Sequence, residues 1–81
     1  MEIRTLFFAS YRDLLGIEEL YVYLPDNAIV SDLISEIRSR GGGFATLPTK
    51  PTVAVNQSYM DLMSPLNDGD EVAFIPPIAG G

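Results

Sequence analysis

The chain has 81 residues, 47% of them apolar and 20% charged, enough for one small globular domain and too few for two. It contains no cysteine and no histidine, which excludes a disulfide framework and a thiolate nucleophile and argues against a zinc site. Its net charge is −6, and its basic residues Arg4, Arg12, Arg38, Arg40 and Lys50 are scattered rather than grouped, so no tract can follow a nucleic-acid backbone.

Residues 2–9, "EIRTLFFA", alternate as a strand, with Ile3, Thr5 and Phe7 on one face and Glu2, Arg4, Leu6 and Phe8 on the other. Residues 10–16 read as one or two helical turns, with Ser10 as a cap, Tyr11, Leu14 and Leu15 at helical spacing, and Gly16 as the stop. Residues 19–25, "ELYVYLP", are rich in β-formers and end at a proline, which predicts a second strand.

The main helix follows. Val30, Leu33, Ile34 and Ile37 fall at i, i+3, i+4 and i+7, an apolar stripe for packing on a sheet. Asp32 near its start and Arg38 and Arg40 near its end suit the helix dipole, and Gly41 to Gly43 stop it. The cap is left open: Asn27 is a candidate, and Ile29 stands where a hydroxyl would serve better. Residues 44–51 then read as a long, mobile loop.

Residues 52–56, "TVAVN", alternate as a third strand, and the stretch "QSYMDLMSPL" reads as turn and irregular chain with Leu62 and Leu66 pointing inward. Asn67-Asp68-Gly69-Asp70 is a turn signal, because Asp-Gly tolerates positive φ. The final strand, "EVAFI", places Val72 and Phe74 on one face and Ala73 and Ile75 on the other. Pro76 and Pro77 end it, since proline donates nothing to a ladder.

The expected fold class is therefore α+β: a β-β-α-β-β mixed sheet packed on one main helix, with a short extra helical turn after the first strand. The crossover through the helix calls for parallel pairing of the first and last strands. That is the ubiquitin-like β-grasp arrangement; a ferredoxin-like fold needs a second full helix that residues 10–16 are too short to supply. Residues 1–77 form the domain and residues 78–81 a flexible Gly-Gly tail.

The sequence holds no catalytic constellation of side chains. The acidic "NDGDE" reads as turn chemistry, and the triple glycine lacks the Lys-Ser/Thr of a phosphate loop. Two features invite function. Phe8 and Ile75 share the strand face opposite the core, with Tyr59, Pro76 and Pro77 nearby, an apolar patch of the kind that marks a partner surface unless the 44–51 segment folds over it. The acidic balance would steer toward a basic partner or serve solubility. The second feature is the terminus. Two prolines stiffen the chain, and Gly80 and Gly81, without Cβ atoms, make a thread that with Ile78 and Ala79 spans at most about 13–14 Å. Its α-carboxylate is ionised and inert at neutral pH; acyl chemistry requires its activation, for which adenylation by ATP is the usual route. No leader-like segment opens the chain and no run approaches the roughly 20 apolar residues of a membrane span, so a cytoplasmic protein away from the membrane is expected.

The stretches "LFFASYRDLLG", "VAVNQ" and above all "PLNDGDEVAFIPPIAGG" closely resemble the small subunit of molybdopterin synthase, a sulfur-carrier family of ubiquitin-like β-grasp proteins, over essentially the whole chain. The resemblance implies that a ubiquitin-activating-type adenylyltransferase binds the apolar sheet face and joins AMP to the Gly81 carboxylate. A sulfurtransferase then supplies sulfur, leaving a terminal thiocarboxylate as the covalent modification. The tail enters the large synthase subunit, and sulfur passes to the cyclic pyranopterin precursor of the molybdenum cofactor, building its dithiolene. The resemblance assigns the chemistry to Gly81 with Gly80, and partner contacts to Phe8, Tyr59, Ile75, Pro76, Pro77, Ile78 and Ala79, with Arg12 as a polar contact. It implies no bound cofactor, ATP being consumed by the activating partner, and a complex of two large and two small subunits. A carrier for thiazole or another thiolation pathway, a ubiquitin-like protein modifier and a pure interaction domain remain open beside it.

Overall fold

The computed structural model describes residues 1–77; Ile78, Ala79, Gly80 and Gly81, the whole of the expected tail, lie outside the described residues. The elements are β1 (Glu2–Phe7), α1 (Ala9–Leu15), β2 (Glu19–Tyr23), α2 (Val30–Arg38), a 3-10 turn (Gly42–Thr46), β3 (Thr52–Val55), β4 (Ser58–Met60) and β5 (Glu71–Ile75). They form one five-stranded sheet in the order β2-β1-β5-β3-β4. The last strand is thus the middle one. It runs parallel to β1, with Phe7 opposite Phe74, and antiparallel to β3, the β-grasp topology.

Alternation decides which side chains the sheet turns inward. Ile3, Thr5, Phe7, Val22, Val53, Val72 and Phe74 are buried, and α2 lays Val30, Leu33, Ile34 and Ile37 against them. Phe7 stands at the centre of an aromatic trio, its ring centroid 5.4 Å from that of Phe74 and 6.4 Å from that of Phe44. Thr5 is the one residue of the inner row carrying a hydroxyl, and that hydroxyl has no hydrogen-bond partner. A buried orphan donor keeps its desolvation cost, so replacing Thr5 by valine should raise stability by about 1 kcal/mol. In a domain of this size that is roughly 4–8 °C in Tm; a fall in Tm would mean that the hydroxyl is satisfied in solution.

Three local expectations are corrected. The stretch after β3, expected as irregular, contains a fifth strand, so the order is β-β-α-β-β-β around the extra turn. Asn56 (φ 50°) and Gln57 (φ 72°) form a two-residue hairpin with both residues left-handed, after which Ser58 pairs with Val55. Such a turn ordinarily carries glycine second, and glutamine there hid it. The start of α2 is not capped by Asn27. The Val30 and Ser31 amides donate to the carbonyls of Ser64 (3.0 Å) and Leu62 (2.9 Å), and the Asp32 carboxylate accepts from the Ile29 amide at 2.9 Å. Backbone from far downstream thus satisfies donors left open at any helix start. Nor is 44–51 an unattached loop. Its first part continues the 3-10 turn, Leu47 is buried, and the Arg38 guanidinium donates to the carbonyls of Leu47 (2.8 Å) and Ala45 (3.1 Å).

The acidic turn is a structural device. The Asp70 carboxylate accepts from the Asn67 amide (2.8 Å) and from Asn56 Nδ2 (3.0 Å), while Asn56 Oδ1 accepts from the Glu71 amide (3.0 Å). Asp68 accepts from the Glu2 amide at 2.7 Å. Gly69, at φ 86°, uses the left-handed freedom that makes Asp-Gly a turn and donates its amide to the Glu2 carbonyl at 2.9 Å. The turn therefore fixes the register of β5 against both of its neighbours. Among the described residues, no three acidic side chains are grouped to hold a metal ion, and no helix is long and apolar enough to cross a membrane.

Candidate functional site

The outer face of the sheet, away from α2, divides into two halves. At the start of β1 it is charged. Arg4 lies between two carboxylates, its Nε donating to Glu19 at 2.6 Å and its Nη1 to Glu71 at 3.0 Å. The hydrogen bond and charge of Glu19, with a smaller part from Glu71, raise the Arg4 pKa, so it stays a cation. Tyr23, also on this half, donates its hydroxyl to Glu2 at 2.9 Å, a bond that raises its pKa and keeps it neutral.

At the other end, where β1 and β5 both finish, the face is apolar. Phe8 follows β1 with extended backbone (φ −116°, ψ 157°) as the residue capping α1, so it continues the alternation outward and is 45% exposed. The parallel register of Phe7 on Phe74 sets Ile75 beside it. Pro76, half-buried, and Pro77, exposed, follow directly. Tyr59 reaches the same face from β4, where it opposes Ala54, and is 74% exposed. The expected patch of Phe8, Tyr59, Ile75, Pro76 and Pro77 is thus assembled on one face. The 44–51 segment does not cover it, because Phe44 packs on the inward Phe7 instead.

Arg12 projects from α1 beside this patch. Its guanidinium is 3.8 Å from Glu18 and 3.9 Å from Asp13, long contacts between half-exposed or exposed groups that hold it weakly. With Leu6, Phe8, Glu18 and Glu19 it lines an open groove of ≈ 290 Å³. The larger hollow, ≈ 440 Å³, is lined by Leu24, Asp26, Asn27, Asp32 and Glu36 and lies where β2 ends, at the charged end of the sheet. Of the expected site residues, Ile78, Ala79, Gly80 and Gly81 fall outside the described part of the chain.

Sequence reasoning passed over three residues here. Leu6 opposes Ala73, Ala73 opposes Ala54, and Ala54 opposes Tyr59, so the four make one transverse row just below Phe8 and Ile75. Alternation assigns Leu6 and Ala73 to the outer face; only the register puts them in a line with Ala54.

Among the described residues the face is an open apolar surface bordered by Arg12, Glu18 and Glu19, an arrangement suited to binding a partner. Residues 5–81 match the model of the ThiS family. The chain is 36% identical over 83 residues to a molybdopterin synthase sulfur carrier subunit from Chlamydomonas reinhardtii, covering 100% of both. It is 33% identical over 92 residues to small archaeal modifier protein 3 from Haloferax volcanii, again covering 100% of both. Its fold matches the solved structure of a putative molybdopterin converting factor, subunit 1, from Pyrococcus furiosus, with a TM-score of 0.84 and 32% identity, covering 96% of this chain and 99% of that one.

Proposed function

The chain belongs to the ThiS family, and from that premise we propose that it is the sulfur carrier of molybdopterin synthase, with the Gly81 carboxylate as its working group. One observation carries the reading: β5, the middle strand, delivers the chain through Pro76-Pro77 directly beside an open apolar face. The relative from Chlamydomonas reinhardtii, matched over its whole length, bears that name. The Pyrococcus furiosus neighbour is named as one subunit of a converting factor, which supports a second subunit as partner.

In this reading a ubiquitin-activating-type adenylyltransferase docks on Phe8, Tyr59, Ile75 and the two prolines, with Arg12 offering a polar contact. A Gly81 carboxylate oxygen attacks the α-phosphorus of ATP and pyrophosphate leaves. The terminal sulfur of a sulfurtransferase persulfide then attacks the acyl carbon and expels AMP, giving an acyl disulfide; a thiol then attacks the donor-side sulfur, forms a disulfide with it and expels the thiocarboxylate. Ionised sulfur is the nucleophile. The same face next docks the large synthase subunit, whose active site receives residues 78–81. The thiocarboxylate sulfur bonds to a carbon of the pyranopterin precursor as a C–O bond there breaks and the oxygen leaves. Water then hydrolyses the acyl–sulfur bond, sulfur stays on the precursor and the carboxylate returns, and two rounds furnish the dithiolene. The carrier binds no cofactor of its own.

Intact-mass spectrometry tests this. Incubated with ATP, the activating enzyme and a sulfur donor, the chain should gain the mass of one oxygen-to-sulfur exchange, located in the peptide that ends at Gly81. The Haloferax volcanii relative bears the name of a modifier, and for a modifier the product would instead be a stable amide adduct to another protein's lysine. A mass unchanged after that incubation overturns the reading.

A further inference from the structure

The row Leu6–Ala73–Ala54–Tyr59 has an unusual centre. Ala73 and Ala54 are direct cross-strand partners on the middle strand and its neighbour, both half-exposed. Alanine is depleted in strands and contributes least as a cross-strand pair. Local preference therefore gives no reason for two of them together on an outer face. Around them the side chains are large: Leu6 on one side, Tyr59 on the other, Ile75 above. The inward neighbours Val53, Val55, Val72 and Phe74 are buried, so the floor rests on packed core and cannot sink.

In the functional reading above, the protein whose active site takes Gly81 comes down on this depression. Four residues reach at most about 14 Å, so an active site that takes up Gly81 has its mouth within that distance of Pro77. Ala73 lies two strand residues before Ile75, about 7 Å along β5. A protein–protein interface of ordinary size covers about 800 Å² per partner, a disc of roughly 16 Å radius. A footprint of that size centred near Pro76 includes the whole row.

We propose that Ala54 and Ala73 floor a socket, walled by Leu6, Ile75 and Tyr59, that receives one apolar side chain projecting from the protein whose active site takes the tail. The inference rests on the functional reading above and adds the chemistry of the contact: an aliphatic or aromatic knob on the partner, seated over two backbone strands. The charges that border the row are paired: Glu19, which opposes Leu6 on β2, and Glu71 are both bound to Arg4.

Filling the socket tests it. Ala73→Leu and Ala54→Leu, made separately in the full-length chain, should keep or slightly raise Tm, because each replaces a poor strand former on an exposed face. Each should weaken binding to the cognate large subunit, followed by isothermal titration, at least about tenfold, as overfilling a packed site does. Two sites on different strands guard against a folding failure at one of them. Undiminished affinity in both folded variants overturns the socket and leaves the functional reading standing. Absence of binding by the wild-type chain overturns the functional reading, and the socket with it.

Discussion

One glycine added after Gly81 lowers sulfur transfer to the pyranopterin precursor by at least about a hundredfold and leaves Tm where it was. The size of the effect follows from covalent geometry. An extra residue moves the acyl carbon by about 3.3–3.6 Å along an extended chain, whereas reacting atoms must meet at roughly 3–3.5 Å, and an error of 1 Å can cost about 10² in rate. The fold is untouched because residues 78–81 lie beyond the last strand, which ends at Ile75. The measurement is dithiolene formation with activating enzyme, sulfur donor, ATP and large subunit present, beside a thermal melt of the extended chain. An extended chain that works at the normal rate would show that the terminus is not the reacting group.

Phe7→Ala costs about 3–5 kcal/mol, the range for truncating a buried phenylalanine. Phe7 is 1% exposed and touches the rings of both Phe44 and Phe74, and the surrounding strands and α2 leave the cavity little room to close. Domains are stable by only about 5–15 kcal/mol, and small ones have less surface to bury. The variant should therefore be partly unfolded at physiological temperature. Urea denaturation measures it directly; a loss below about 1 kcal/mol would contradict the close-packed trio. The effect also reaches the docking face, since Phe7 and Phe74 back Phe8 and Ile75 from beneath.

What could be read from sequence was whatever is periodic or carried by a few neighbouring residues. The helix stripe Val30, Leu33, Ile34 and Ile37 is buried in full, and the inward faces of β1 and β5 are those their alternation assigned. The acidic turn is a turn for the reason given by its Asp-Gly, and the β-grasp order with parallel first and last strands followed from a single crossover helix. The apolar patch was legible because Phe8 and Ile75 each alternate outward next to a strand end.

What escaped depends on partners far along the chain. No residue near Ile29 announces that the carbonyls of Leu62 and Ser64 will cap α2. Arg38 looks like a charge placed for the helix dipole, and nothing local shows that its guanidinium clasps the Ala45 and Leu47 carbonyls. β4 hid behind a hairpin whose second residue, Gln57, takes a conformation that glycine usually signals. The Ala54–Ala73 pair needed a register between two strands that are not consecutive in the chain, which only the assembled sheet supplies.

The central place of β5 bears on mechanics as well as on docking. Under the proposed function a tail taken into a partner's active site must later be withdrawn, and the pull is delivered along the axis of β5. β5 is hydrogen-bonded to β1 on one side and β3 on the other, so a load applied at Ile75 shears both ladders at once instead of peeling bonds one by one from an edge. The strand that carries the proposed working end is therefore held from both sides, and withdrawal loads two ladders together.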